Sequence, residues 1–123
     1  MLTWLNFYVH GVEISSACEI GPHFFMPHVS GTVIGANRIG AYAVIYHQVT
    51  LGAKEVEPAH EHRPVVGDRA FIASGAKVIG PISLGDDVVV GANAVVTRSC
   101  GDAVTLIGIP AVETPRALVD ARA

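Results

Sequence analysis

The chain has 123 residues and is 50% hydrophobic, with 15% charged side chains against roughly 25% in an average soluble domain. That length admits one core and leaves no room for a second. The formal net charge of −3 comes with no basic stripe, which argues against nucleic acid or an anionic membrane as partner, and so low a charge content favours an oligomer whose flat faces are covered by other copies.

Met1 to His10, MLTWLNFYVH, is apolar but far shorter than the roughly 20 residues a membrane span needs, and it has neither a basic leader nor a cleavage site. Residues 1–11 are therefore expected to cap the fold, with Trp4, Phe7 and Tyr8 laid over open strand edges. From there an aliphatic residue returns at every sixth position: Ile14, Ile20 and Met26, then Val33, Ile39, Ile45 and Leu51. After an interruption the ladder resumes as Val66, Ile72, Val78, Leu84, Val90 and Val96. Six suits neither an amphipathic helix nor strands joined by hairpins. Compact or branched residues stand two places earlier (Ala70, Ala76, Ile82, Val88 and Ala94), and Gly67, Gly85 and Gly91 follow three of the rungs. Hexapeptides of this kind build parallel β-helices, in which each turn of chain stacks on the last and the aliphatic column fills the bore.

Two defects break the ladder, one extra residue before Val33 and a long excursion in residues 53–65, AKEVEPAHEHRPV. A solenoid loops such insertions out at a corner, and an excursion carrying charges and imidazoles is a candidate for function. Residues 12–100 are assigned to the β-helix and 101–123 to a C-terminal tail, in which Pro110 and Pro115 bracket a segment leaving the helix and ALVDARA forms a short terminal helix. Cys18 occupies a small-residue slot and Cys100 lies in the exit segment. Two lone cysteines in such places point to a reducing compartment, the cytoplasm.

Three hexapeptides make one triangular coil, so residues about eighteen apart lie one above another, roughly 4.8 Å distant. Allowing for the two insertions, Met26, Ile45, Ile72 and Val90 form one interior column. The residues two after each form an exterior file: His28, His47, Ser74 and Ala92. Two histidines head a row of small residues, a groove in which an extended ligand could lie with its reactive end at His28.

The ordered motifs GVEISSACEIG, PHVSG, QVTLG, HRPVVGD, GAKVIGPISLGDDVVVGANAVV and GIPA resemble those of the serine acetyltransferase family of hexapeptide-repeat acyltransferases, from about Gly11 to Val112. The resemblance implies a left-handed parallel β-helix, a homotrimer with active sites between subunits, and acetyl-CoA as donor. It places the catalytic histidine on His28 and its orienting carboxylate on Glu13, and the CoA contacts on Gly52, Ala53, Ser74, Gly75 and Ala92. His62 and Arg63 of the loop, with His47, are implied to meet the acceptor; no metal is implied. His28 would take the acceptor's hydroxyl proton during attack on the thioester, while Glu13 holds the ring tautomer.

The chain also departs from the family. Pro27 stands where an aspartate usually holds the amino group of serine, and His62-Arg63 reverses the usual Arg-His before the proline. Glu13 replaces the usual aspartate, and the resemblance leaves out the family's N-terminal helical domain. The acceptor is therefore expected to be a hydroxyl compound other than, or broader than, free serine: an amino-acid side chain, a sugar or a biosynthetic intermediate.

Each of these residues has an ordinary alternative. A lone histidine at a strand corner is usually a solvated side chain, Glu13 a surface charge, His62 and Arg63 part of a polar loop, and His47 a groove wall. His10, His23 and His60 are assigned no role. A zinc enzyme of γ-carbonic-anhydrase type shares this architecture but needs one histidine followed some coils later by a close pair, and neither His23 with His28 nor His60 with His62 fits that spacing. A catalytically silent assembly protein would have no need of the histidine, its carboxylate and the CoA-facing small residues together.

Overall fold

The computed structural model describes residues 2–116. The chain opens with a helix, Leu2–His10, which ends where Gly11 takes a left-handed φ of 67° and donates its N–H to Phe7 O at 3.0 Å. The helix packs on the first strand, yet Trp4, Phe7 and Tyr8 stay exposed. The expected aromatic lid is therefore absent: the segment is a helix that rests on the first strand while its rings face outward.

From Val12 the chain winds as a left-handed parallel β-helix of three faces. The first face stacks Val12–Ile14, Thr32–Ile34, Thr50–Gly52, Lys77–Ile79 and Val95–Val96. The second stacks Glu19–Ile20, Arg38–Ile39, Val65–Val66 and Ser83–Leu84. The third stacks Val44–Ile45, Phe71–Ile72, Val89–Val90 and Val104–Ile107. Strands so short are held because each rung meets its own kind above and below: Ile45 pairs with Ile72, which pairs with Val90. Ile39, Ile45, Leu51, Ile72, Val78 and Val90 are fully enclosed, and Ala70, Ala76 and Ala94 are buried in the slots between them.

The upper ladder differs from expectation. Ile34, not Val33, is the inward rung and pairs with Leu51, while Val33 faces outward. Side chains alternate along a strand, so misplacing an insertion by one residue exchanges inside and outside. Thr32 also points inward, and its hydroxyl is satisfied by donating to Tyr46 O at 3.2 Å. Ile14 and Met26 are only half-buried and Ile20 is exposed, because no coil lies above them.

One device escaped the hexapeptide pattern. Asp68 accepts from Ala41 N–H at 2.9 Å, Asp86 from Asp68 N–H at 2.7 Å, and Asp102 from Asp86 N–H at 2.7 Å. Each carboxylate thus ties its coil to the one above. The glycines that face these carboxylates, Gly40, Gly67 and Gly85, follow from the same contact: a Cβ on Gly67 would sit 2.4 Å from Gly85 O and 2.6 Å from Asp86 Oδ1.

After Val96 the chain does not simply leave. Leu106 becomes the next rung under Val90 and is buried, and Val112–Pro115 returns antiparallel to Val104–Ile107. Pro110 lies in the turn of that hairpin and Pro115 in its outer strand, so neither marks an exit. The expected terminal helix ALVDARA lies outside the described residues. Among the described residues no helix is long and apolar enough to cross a membrane.

Candidate active site

The turn from the third face to the first needs one left-handed residue per coil, and Gly31, Gln48, Gly75 and Asn93 supply it at φ 70°, 57°, 76° and 59°. His47, Ser74 and Ala92 directly precede three of these turns, but Ser30, not His28, precedes the fourth and stacks on His47, with Gln48 N–H donating to Ser30 O at 2.9 Å. The expected file is corrected at its head, where His28 lies two residues earlier and meets His47 only through its ring. His28 and His47 lie with ring centroids 5.5 Å apart and planes at 86°. Below them Gly75 N–H donates to His47 O at 3.0 Å and Asn93 N–H to Ser74 O at 3.0 Å, which stacks Ser74 and then Ala92 beneath the histidines. A Cβ on Gly75 would fall 2.0 Å from Asn93 Oδ1, so a larger residue there would have to displace the Asn93 side chain. Lys77 Nζ lies on the same edge, donating to Gln48 O at 2.7 Å and Gly75 O at 2.9 Å.

His28 is exposed and has no hydrogen-bond or ion-pair partner among the described residues. Its other neighbour is Tyr46, with centroids 6.3 Å apart, and Tyr46 in turn meets Phe71 at 5.4 Å. His47 is half-buried, and its Nδ1 is enclosed without a hydrogen-bond partner.

Glu13, Gly52, Ala53 and Arg63 come together elsewhere, in a cleft of about 360 Å³ at the next edge, where the loop leaves the first face. Arg63 Nη1 donates to Ser15 Oγ at 3.0 Å, Asn37 Nδ2 to His60 O at 3.2 Å, and Asn37 N–H to Pro64 O at 2.8 Å. The far limb of the loop is thus held by its own first two coils, while Val56 at its bend is 99% exposed. His62 turns within the loop toward Glu55, at 3.7 Å. Burial pushes the Cys18 thiol up, with the charge of Arg63 pulling it the other way. Glu13 stands exposed on the outer side of the first face, in register with Val33.

One chain therefore carries two half-sites. His28, His47, Ser74, Gly75 and Ala92 share one edge; Glu13, Gly52, Ala53 and Arg63 share the next; His62 belongs to neither. Ser15 and Asn37, which anchor the loop, carried no signal in the sequence because their partners lie far along the chain. Tyr46 was open to discovery, since it directly precedes a file residue on an outward position.

A family model described as bacterial transferase hexapeptide (six repeats) matches residues 63–98. The serine acetyltransferase of Mycobacterium tuberculosis is 43% identical over 101 residues, 81% of this chain and 44% of that protein. Over most of its length the chain is similar to serine acetyltransferases. It superimposes on the Neisseria gonorrhoeae serine acetyltransferase with a TM-score of 0.87 at 30% identity, over 94% of this chain and 44% of that one. The Brucella abortus serine acetyltransferase in complex with coenzyme A matches at a TM-score of 0.86 and 26% identity, over 93% of this chain and 46% of that one. The chain spans about half the length of these serine acetyltransferases or less. Among the described residues no group of three or more His, Cys, Asp or Glu is placed to hold a metal ion.

Proposed function

We propose that the chain is the acyl-transfer unit of an acetyl-CoA-dependent O-acetyltransferase of serine acetyltransferase type, acting on a small hydroxyl compound. The observation that carries this reading is the edge itself: an exposed His28, unpartnered among the described residues, with its ring beside His47 and the small residues Ser74, Gly75 and Ala92 stacked below. An extended thioester donor fits along Ser74, Gly75 and Ala92, with Gly52 and Ala53 as further contacts from the neighbouring cleft. His28 accepts the proton of the acceptor hydroxyl as the oxygen attacks the thioester carbon, then returns it to the departing sulfur. Glu13, exposed on the adjoining face, steadies the ring and its positive charge. Arg63, with its guanidinium in the second cleft, offers a charged anchor for the acceptor, and His62 lies beside it in sequence. Pro27 next to His28 supports an acceptor other than, or broader than, free serine.

Two separated half-sites support assembly from several copies, a homotrimer in which one copy's His28 edge meets a neighbour's loop. The outer side of the third face is also uncharged, presenting Phe25, Val44, Phe71 and Val89 in register. Cys18 and Cys100, both free and half-buried, suit a reducing compartment, the cytoplasm.

The test is release of CoA from acetyl-CoA across a panel of hydroxyl acceptors that includes serine. His28→Ala should lower turnover by about 10²–10⁴-fold with CoA affinity unchanged, and Glu13→Gln by less. Turnover abolished by a chelator and restored by zinc would overturn the reading in favour of a metalloenzyme. Full activity in His28→Ala would reduce His28 to a groove wall.

A further inference from the structure

We propose that His47 is a second catalytic group at this edge, a neutral imidazole whose Nε2–H donates to the thioester carbonyl oxygen as that oxygen becomes an oxyanion. The proposal rests on the acyl-transfer reading of His28 given above. Nδ1 of His47 is enclosed and lacks a partner. A buried N–H with no acceptor is among the costlier defects in a protein interior, and a neutral imidazole escapes it by carrying its hydrogen on the other nitrogen. The enclosure of Nδ1 therefore selects the Nε2–H tautomer. Nε2 makes no hydrogen bond with the described residues, so its hydrogen remains available to a ligand in the groove.

The rings make the donor useful. With centroids 5.5 Å apart and planes at 86°, His47 stands close enough to His28 for both rings to reach one reacting carbonyl, His28 on the side of the attacking oxygen and His47 on the side of the carbonyl oxygen. Three backbone donors of this edge are already committed. The N–H of Gln48 is committed to Ser30 O at 2.9 Å, that of Gly75 to His47 O at 3.0 Å and that of Asn93 to Ser74 O at 3.0 Å. A side-chain donor fills the role that free amides serve in other acyl-transfer sites.

The step balances. As the acceptor oxygen bonds to the thioester carbon, its proton passes to His28 and the carbonyl π pair moves onto oxygen, where His47 Nε2–H receives it. When the carbonyl re-forms, the carbon–sulfur bond breaks, sulfur leaves with the bonding pair, and the proton on His28 completes the free thiol. His47 keeps its own proton throughout.

The experiment compares His47→Ala, His47→Gln and His28→Ala for kcat, CoA affinity by calorimetry and pH dependence, and reads the His47 tautomer by ¹⁵N NMR in the unliganded protein. We expect the Nε2–H tautomer, a loss in kcat of about 10²–10³-fold in His47→Ala, recovery of much of it in His47→Gln, whose amide N–H restores a donor, and an unchanged CoA dissociation constant. The acidic limb of the pH profile, where a general base is lost to protonation, should be shared by wild type and both His47 variants, because the base is His28 and not His47. An Nδ1–H tautomer, an unchanged kcat in His47→Ala, or a loss confined to CoA affinity would each overturn the proposal. If His47→Ala is as fast as wild type while His28→Ala is slow, only this proposal falls. If no acceptor is turned over by the wild type, or His28→Ala is fully active, the acyl-transfer reading falls and takes this one with it.

Discussion

The coil through Val66, Ile72 and Val78 has a coil stacked on either side, whereas the coil through Ile14, Ile20 and Met26 has one only below and a short helix above. Both are written in the same six-residue pattern. Ile72 is 0% exposed and Ile20 is 37% exposed, so the neighbours, and not the residue type, decide what is core. In a quasi-one-dimensional stack the interior coils are determined from both sides and the terminal coil from one. The candidate site residues fall across that gradient. Ser74, Gly75 and Ala92 sit on the determined coils, while Glu13, His28 and the Ser15 anchor of the loop belong to the first turns.

The sharpest way to break this comparison is to remove the same side chain from both coils. Ile72→Ala should cost about 2–5 kcal/mol, because the rungs above and below cannot close on the cavity. Ile20→Ala should cost about 1 kcal/mol, since its side chain is only partly withdrawn from water. Urea denaturation followed by circular dichroism measures both. Equal costs would mean that the first coil is as tightly held as the third, and the gradient would vanish.

The same gradient explains what the sequence made legible. From Leu51 to Val96 every inward rung was readable, because constant stacking keeps the period of six intact and each slip would bury an outward residue. The column from Met26 to Val90 and the exterior file from His47 to Ala92 were readable for that reason, as sums along a regular lattice, whereas the head of the file is Ser30 and not His28, because the turn before Gly31 is longer. Val33 was misread because the insertion before it is absorbed by a turn whose geometry no local pattern announces. Leu106 was missed because the final coil is shorter than six residues per side allows, so that its rung falls two places early. The two half-sites were legible as residues but not as a division. That Arg63 would fall beside Ser15 and Glu13, an edge away from His28, depends on how the loop folds back, and no spacing encodes it.

A smaller effect sharpens the contrast at the glycines. Gly67→Ala forces a Cβ to within 2.4 Å of Gly85 O and 2.6 Å of Asp86 Oδ1, so it must push two coils apart and break the bond from Asp68 N–H to Asp86. A cost of about 1–3 kcal/mol is expected. At Gly101, in the last turn, a Cβ meets nothing within 4 Å. Gly101→Ala should be neutral or stabilise by a few tenths of a kcal/mol, roughly, through the unfolded chain. Thermal unfolding of the two variants decides it, and a tolerated Gly67→Ala would show that the aspartate ladder does not set the coil spacing.

The smallest effect is expected at the edge between the second and third faces, where Arg69 bonds Asp87 through Nε to Oδ1 at 2.8 Å and through Nη2 to Oδ2 at 3.1 Å. This pair spans two fully determined coils, yet both groups are solvated, and exposed ion pairs contribute little. The bond from Arg69 and its charge hold the Asp87 carboxyl below the usual carboxylate range, with Arg116 adding a lesser pull the same way. A depressed folded value means that the stabilisation is present above the unfolded value, about 3.9, and is lost as the pH falls through the folded one. Asp87→Asn preserves the left-handed backbone, φ 56°, which asparagine adopts readily, and removes the charge together with one of the two acceptor oxygens. Its melting temperature should lie slightly under wild type at pH 7, and the two curves should converge as the pH drops below the carboxylate range or as salt is raised. A gap that stays constant with pH would assign the loss to backbone geometry. A gap as large as that of Ile72→Ala would mean that the edges and not the bore hold the stack, and the burial gradient would no longer explain why the two ends of this chain differ.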